Sequence, residues 1–163
     1  MTDVSSESIE ELLHSGYRYA LSLTNDKSRA EDILQDAWLA VLKAKGPRKR
    51  PYLYSAVRSR FLNMYKREQL VSVVSLDDAP EIEDKIADDG LSSSIDYALL
   101  ESALDDLRSI EREALYLMVV EGYTAKEIAE FTQQPRGTVL SLVHRAKQKV
   151  RCYVELKQSE VSP

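Results

Sequence analysis

Apolar side chains recur at steps of three and four along most of this chain, the spacing that lines one face of an α-helix. Ile9, Leu12, Leu13, Tyr17, Ala20, Leu21 and Leu23 define a first helix. Asn25, Asp26 and Ser28 interrupt it, each with a side-chain oxygen able to cap the next turn. Ala30, Ile33, Leu34, Ala37, Trp38, Val41 and Leu42 repeat the pattern in a second helix to about Lys45, where Gly46 and Pro47 stop it. Pro51 suits the first turn of a third helix, in which Leu53, Val57, Phe61 and Tyr65 fall four apart on a run from Tyr52 to about Leu70. Three helices with short connections predict one compact helical domain over residues 5–70.

The period then fails. Residues 71–95 mix a short β-branched run with proline, glycine, serines and clustered acids, and predict an extended or disordered acidic linker. Helical spacing returns at Ile95, Leu99, Leu100, Ala103, Leu104 and Leu107, and again at Ala114, Leu115, Met118 and Val119. Two short helices are expected there, with a break near residues 107–110 and an end at Gly122. Two more follow, Thr124 to about Thr132 and Gly137 to about Leu156, joined by Gln133, Gln134, Pro135 and Arg136. The expected fold is all-α: a three-helix domain, an acidic flexible linker, and a four-helix domain over residues 96–157.

Composition agrees, since five glycines and five prolines in 163 residues leave little turn chemistry. The single cysteine, Cys152, permits no disulfide within the chain and is expected as a small buried filler of the last helix. His14 and His144 lack supporting ligands, so neither a metal nor a cofactor is expected. No stretch is long and apolar enough to span a bilayer, and the acidic N-terminus lacks the order of a secretory signal, so the expected compartment is the cytoplasm. The net charge of −5 argues against nucleic acid only until it is read by position. Residues 77–106 hold one basic residue against eleven acids, while residues 1–76 hold twelve against nine and residues 107–163 nine against seven. Two basic modules flank an acidic segment.

Within the last two helices, Thr124 and Thr138 can serve as caps, Ile128 and Ala129 line one inner face, and Val139, Val143, Ala146 and Val150 line the other. Pro135 keeps the two from fusing, which gives a helix-turn-helix layout. The outer face of the second offers Arg136, Thr138, Ser141, His144, Arg145, Lys147, Gln148 and Arg151 to phosphates and base edges of a duplex. A hairpin that only packs, with a solvated basic face, is the alternative. The run Lys45 to Arg67 carries eight Lys or Arg, no acid, and the aromatics Tyr52, Tyr54, Phe61 and Tyr65. Cations that follow a backbone and rings that accept unstacked bases suit single-stranded DNA. Here the alternative is that some of the rings are core.

Three segments resemble the extracytoplasmic-function (ECF) sigma factors, the smallest sigma subunits of bacterial RNA polymerase. The run AEDILQDAWLAVLKA is similar to the family's polymerase-binding helix, PYLYSAVRSRFLNMYKRE resembles its promoter-melting helix, and residues 107–151 resemble its minus-35 domain. The resemblance implies that Glu31, Asp32, Gln35 and Asp36 face the polymerase's largest subunit. It implies that Arg48, Lys49, Arg50, Tyr52, Arg58, Asn63, Lys66 and Arg67 handle the minus-10 element, where a base is flipped, and that Arg136, Thr138, Ser141, His144 and Arg145 read the minus-35 duplex. The implied partners are RNA polymerase core and promoter DNA, with an anti-sigma factor as a further candidate, and no catalysis by the chain itself. Tyr52 stands at the family's usual Trp and Ser59 at its usual Asn. Leu140 and Leu142 replace the usual Lys or Arg of the recognition helix and are expected to be exposed. Two other functions compete: a helix-turn-helix regulator that needs no polymerase, and a helical adaptor that binds through the acidic linker.

Overall fold

A computed structural model describes residues 7–69 and 97–161, and the chain divides into two compact units, Met1–Asp77 and Asp78–Pro163. Every described element is a helix: α1 (Ile9–Thr24), α2 (Lys27–Lys43) and α3 (Arg50–Gln69) in the first unit, and α4 (Tyr97–Asp105), α5 (Ser109–Val119), α6 (Ala125–Thr132) and α7 (Arg136–Val161) in the second. The segment 71–95, expected as an acidic linker, lies outside the described residues.

In the first unit, α1 opens on a reciprocal cap. The Ser8 hydroxyl accepts from the Glu11 N–H at 3.1 Å, and the Glu11 carboxylate accepts from the Ser8 N–H at 3.0 Å. Asn25, in the left-handed conformation, ends the helix, and the Asp26 carboxylate caps α2 through the Arg29 N–H at 3.1 Å. The three helices approach closely because α1 presents small residues. A side chain on Gly16 would come within 2.9 Å of Leu34 and 2.8 Å of Leu53, so this glycine marks a true crossing point. Ser15 and Ser22 also lie in the core, each hydroxyl donating to a carbonyl of its own helix at 2.8 and 2.6 Å, so that burial leaves no polar atom unmet.

The centre of this unit is a stacked pair of rings. Tyr19 and Tyr54 are fully buried with centroids 4.5 Å apart, and the Tyr54 hydroxyl donates to the Ser15 carbonyl at 3.3 Å. The repeat picked Tyr17 for α1, but Tyr19 is the buried ring and Tyr17 is only half-buried. The stop of α2 also differs from expectation. Lys45, not Gly46, takes the left-handed conformation at φ 51°, with the Gly46 N–H bonded back to the Val41 carbonyl at 3.1 Å and the Lys45 N–H to that of Leu42 at 3.2 Å.

In the second unit, Ala103 and Leu107 pack with Ala146, Val150 and Val154 of α7, and Leu117, Ile128, Val139 and Leu142 are buried as well. Several expectations fail here. Leu142, expected to be exposed, retains 3% of its surface, because it lies one turn from Val139 and Ala146 on the same face. Cys152 is exposed, since the core stripe passes through Val150 and Val154 instead. Val119, counted as apolar face, is exposed at the end of α5. Helix α7 also begins at Arg136, ahead of Thr138, with the Val139 N–H bonded to the Pro135 carbonyl at 3.2 Å. Thr138 therefore sits inside the first turn and is not the cap.

A buried carboxylate joins three parts of this unit. Glu111, 1% exposed, accepts from the Arg108 N–H at 3.1 Å and from Lys149 Nζ at 2.9 and 3.0 Å. Beside it, Arg112 donates to the Leu107 carbonyl at 2.8 Å. Burial alone would raise the Glu111 pKa, but its bonds and charge attractions to Lys149 and Arg108 outweigh that and hold it below the ordinary 4.5. The stability this group contributes is therefore complete above that ordinary value and is lost as pH falls through the lower folded one. Glu111→Gln is expected to lower the unfolding free energy of this unit by about 1–3 kcal/mol at pH 7, measured by chemical denaturation, and to flatten its acid dependence. Superimposable pH–stability curves for the two proteins would refute this role.

Candidate nucleic-acid interface

Helix α3 buries one stripe, Leu53, Tyr54, Val57 and Phe61, and the exposure of its other residues follows their angular distance from that stripe. Tyr52, Ser59 and Lys66, spaced by two turns, run along the opposite side with Asn63 beside them. All four are exposed, and Tyr52 keeps 39% of its surface. Arg58 and Tyr65 form one flank, both half-buried, and Arg60 and Arg67 form the other, both exposed. The four rings of the basic run thus divide. Tyr54 and Phe61 are core and cannot meet a base, whereas Tyr52 and Tyr65 remain accessible.

The loop before α3 presents Arg48 and Lys49 to solvent. Arg50 differs from them. Its Nε donates to the Glu7 carboxylate at 2.6 Å, so the chain's own acid already occupies the group expected to hold a phosphate. The phenol end of Tyr52 lies against Gly46 at the close of α2.

On α2, Glu31, Asp32, Gln35 and Asp36 are all exposed on one side of the helix. Leu39 stands among them at 53% exposure, an apolar centre within a polar rim. Sequence spacing placed Leu39 off the buried stripe, and that was the signal available for it. Asp32 and Asp36 also line a groove of about 570 Å³ between α2 and α3, whose other wall carries Arg60, Asn63 and Arg67. Arg29 bridges to Glu68 across it at 3.0 Å. Two of the residues assigned to polymerase and two of those assigned to minus-10 DNA therefore share one groove.

On α7, Arg136 is exposed, and Thr138, Ser141, His144 and Arg145 are half-buried. Ser141 and His144 lie on the side opposite the buried stripe, while Thr138 and Arg145, two turns apart, share a flank. The Ser141 hydroxyl donates to the Gly137 carbonyl at 3.0 Å, so toward a base it can only accept, as from adenine N6 or cytosine N4. Leu140 is half-buried and Lys149 is held by Glu111. Helix α6 is set against α7 by its cap at Thr124, whose hydroxyl accepts from the Glu127 N–H at 3.2 Å, and by the left-handed Gln133 at φ 55°.

Comparison with known proteins is consistent across both units. The pattern of sigma-70 region 2 matches residues 9–71, and that of sigma-70 region 4 matches residues 97–150. The ECF RNA polymerase sigma factor SigE of Mycolicibacterium smegmatis is 29% identical over 156 residues, covering 90% of this chain and 60% of that protein. SigL of Mycobacterium tuberculosis is 26% identical over 141 residues, covering 83% and 80%. EcfG of Rhodopseudomonas palustris is 24% identical over 165 residues, covering 98% and 90%. The sigma factor RpoE of Bartonella quintana, solved in complex with the anti-sigma factor NepR, shares the fold with a TM-score of 0.66 at 24% identity, over 90% of this chain and 94% of that one. The chain belongs to the sigma-70 family of RNA polymerase sigma factors, in its ECF branch.

Because Arg48 and Lys49 are exposed while Arg50 is already paired, the three cations should differ in their salt signatures. On a pre-melted promoter with polymerase core, Arg48→Ala and Lys49→Ala are each expected to flatten the plot of log affinity against log salt by about one unit, and Arg50→Ala by less. Equal slopes for all three variants would contradict the assignment.

Proposed function

We propose that this protein binds RNA polymerase core and directs promoter-specific initiation as an ECF sigma factor. The observation that carries this reading is the order of two helical units, region 2 then region 4, each of which exposes a cationic helix face. On α2, the polar side formed by Glu31, Asp32, Gln35 and Asp36 around Leu39 docks on the polymerase's largest subunit. On α3 and its preceding loop, Arg48, Lys49, Tyr52, Arg58, Asn63, Lys66 and Arg67 hold the strands apart at the minus-10 element. Arg50 joins them once Glu7 is displaced. Flipping a base costs a few kcal/mol of lost stacking, which ring and backbone contacts on this face offset. On α7, Arg136, Thr138, Ser141, His144 and Arg145 read the minus-35 duplex.

The protein supplies no chemistry of its own in this reading, and it works in the cytoplasm beside the polymerase. Among its described residues no helix is long and apolar enough to cross a membrane. A restraining protein of the anti-sigma class fits the exposed apolar residues Leu39 and Leu42 of α2, as the Bartonella relative is found with NepR.

Reconstitution with core polymerase on a promoter selected from a random-sequence library tests the proposal. A specific transcript dependent on this chain is expected. Core binding without any specific transcript would instead favour the adaptor, and duplex binding that needs no polymerase would favour a stand-alone regulator. Arg145→Glu should weaken initiation from duplex promoters at least tenfold more than from pre-melted ones, scored by transcript yield. Equal losses on the two templates would remove Arg145 from the minus-35 contact.

A further inference from the structure

The turn after α2 contains a glycine in a place where the backbone does not require one. Its left-handed position is Lys45, at φ 51°, although glycine is the residue that adopts this conformation without strain. Gly46, one residue later, has no positive φ, so the backbone alone would accept a side chain at that point. The space does not. A Cβ on Gly46 would collide with the Tyr52 ring, nearest at Cε1, and would lie 2.5 Å from Cζ and 2.7 Å from Oη.

Tyr52 reaches this position because it lies in the first turn of α3, and helical side chains lean toward their helix's N-terminus. Its phenol therefore folds back over the connecting loop and ends on the Gly46 backbone. It fills the space that a side chain at position 46 would enter. Contact at the tip restricts the ring's two rotatable bonds while 39% of the side chain stays open to solvent. A ring fixed before its ligand arrives loses less entropy on binding than one that swings freely.

We infer that Gly46 is a positioning residue for promoter opening: it is glycine so that the Tyr52 ring can rest on the loop backbone, aimed at one unpaired base. This rests on the proposed sigma function and assigns a further residue to it. The atoms nearest to a Cβ at position 46 are the outer end of the Tyr52 side chain rather than backbone, so the ring, not the fold, is what must give way to Gly46→Ala.

The test uses holoenzyme reconstituted with wild-type protein, Gly46→Ala, Tyr52→Ala and the double variant, on a library-selected promoter in duplex and pre-melted form. Open-complex formation is followed through 2-aminopurine fluorescence in the minus-10 segment, with thermal unfolding and core affinity measured alongside. Gly46→Ala and Tyr52→Ala are each expected to reduce opening about 5- to 150-fold, the range set by base–ring stacking. The double variant should be no worse than Tyr52→Ala, and melting temperature and core affinity should hold. Multiplying losses in the double variant, wild-type opening by Gly46→Ala, or a fall in melting temperature that accounts for its defect would each overturn the role of Gly46. Loss of opening by Gly46→Ala while Tyr52→Ala opens normally overturns it too. A wild-type holoenzyme that makes no specific transcript fails the sigma reading itself, which separates that failure from the others.

Discussion

One helix has a single apolar stripe, and the first unit is built around that limit. The stripe of α3 is consumed by the packing of α1 and α2: Leu53, Val57 and Phe61 fill the interface, and Tyr54 stacks on Tyr19 at its centre. An offset ring pair adds about 0.5–1.5 kcal/mol beyond its buried area, so this contact both stabilises the unit and fixes the rotation of α3 about its axis. Once that rotation is fixed, Tyr52, Ser59 and Lys66 must point away from the core, and Arg58 and Arg67 must flank them. The proposed nucleic-acid face follows from the core rather than being added to it.

The second unit solves the corresponding problem with charge. Helix α7 is 26 residues long, and α6 packs near its start. Farther along, Lys149 on α7 bonds Glu111 at the start of α5, and Glu111 also caps its own helix through the Arg108 N–H. One carboxylate thus joins a helix start to the recognition helix. The same bond engages Lys149, so the residues proposed to meet DNA lie on the other sides of α7.

Much of this was legible in the sequence because helical spacing is a local property. All seven described helices fall where the three- and four-residue steps placed them, within a few residues at their ends. What spacing does not reveal is which of two near-equivalent residues a neighbouring helix selects. Tyr19 displaced Tyr17, and Leu142 went inward, because partner helices decided between adjacent angular positions. Glu111, Arg112 and Glu113 are buried charged residues that composition assigns to the surface, and for Glu111 the partner is Lys149, 38 residues away. The basic run illustrates both sides: most of its cations are exposed, but Arg50 and Arg58 are half-buried, and Tyr54 and Phe61 belong to the core. The Glu7–Arg50 pair, 43 residues apart in sequence, carried no local signal.

The central claim is that the face of α3 opposite the Tyr19–Tyr54 stack meets unpaired bases. A photoreactive amino acid in place of Ser59, which lies on that face between Tyr52 and Lys66, tests it directly in a holoenzyme stalled on its promoter. Crosslinks to a single strand within the melted minus-10 segment are expected, absent when the promoter stays closed. Crosslinks confined to upstream duplex or to polymerase protein, with the promoter open, would contradict it.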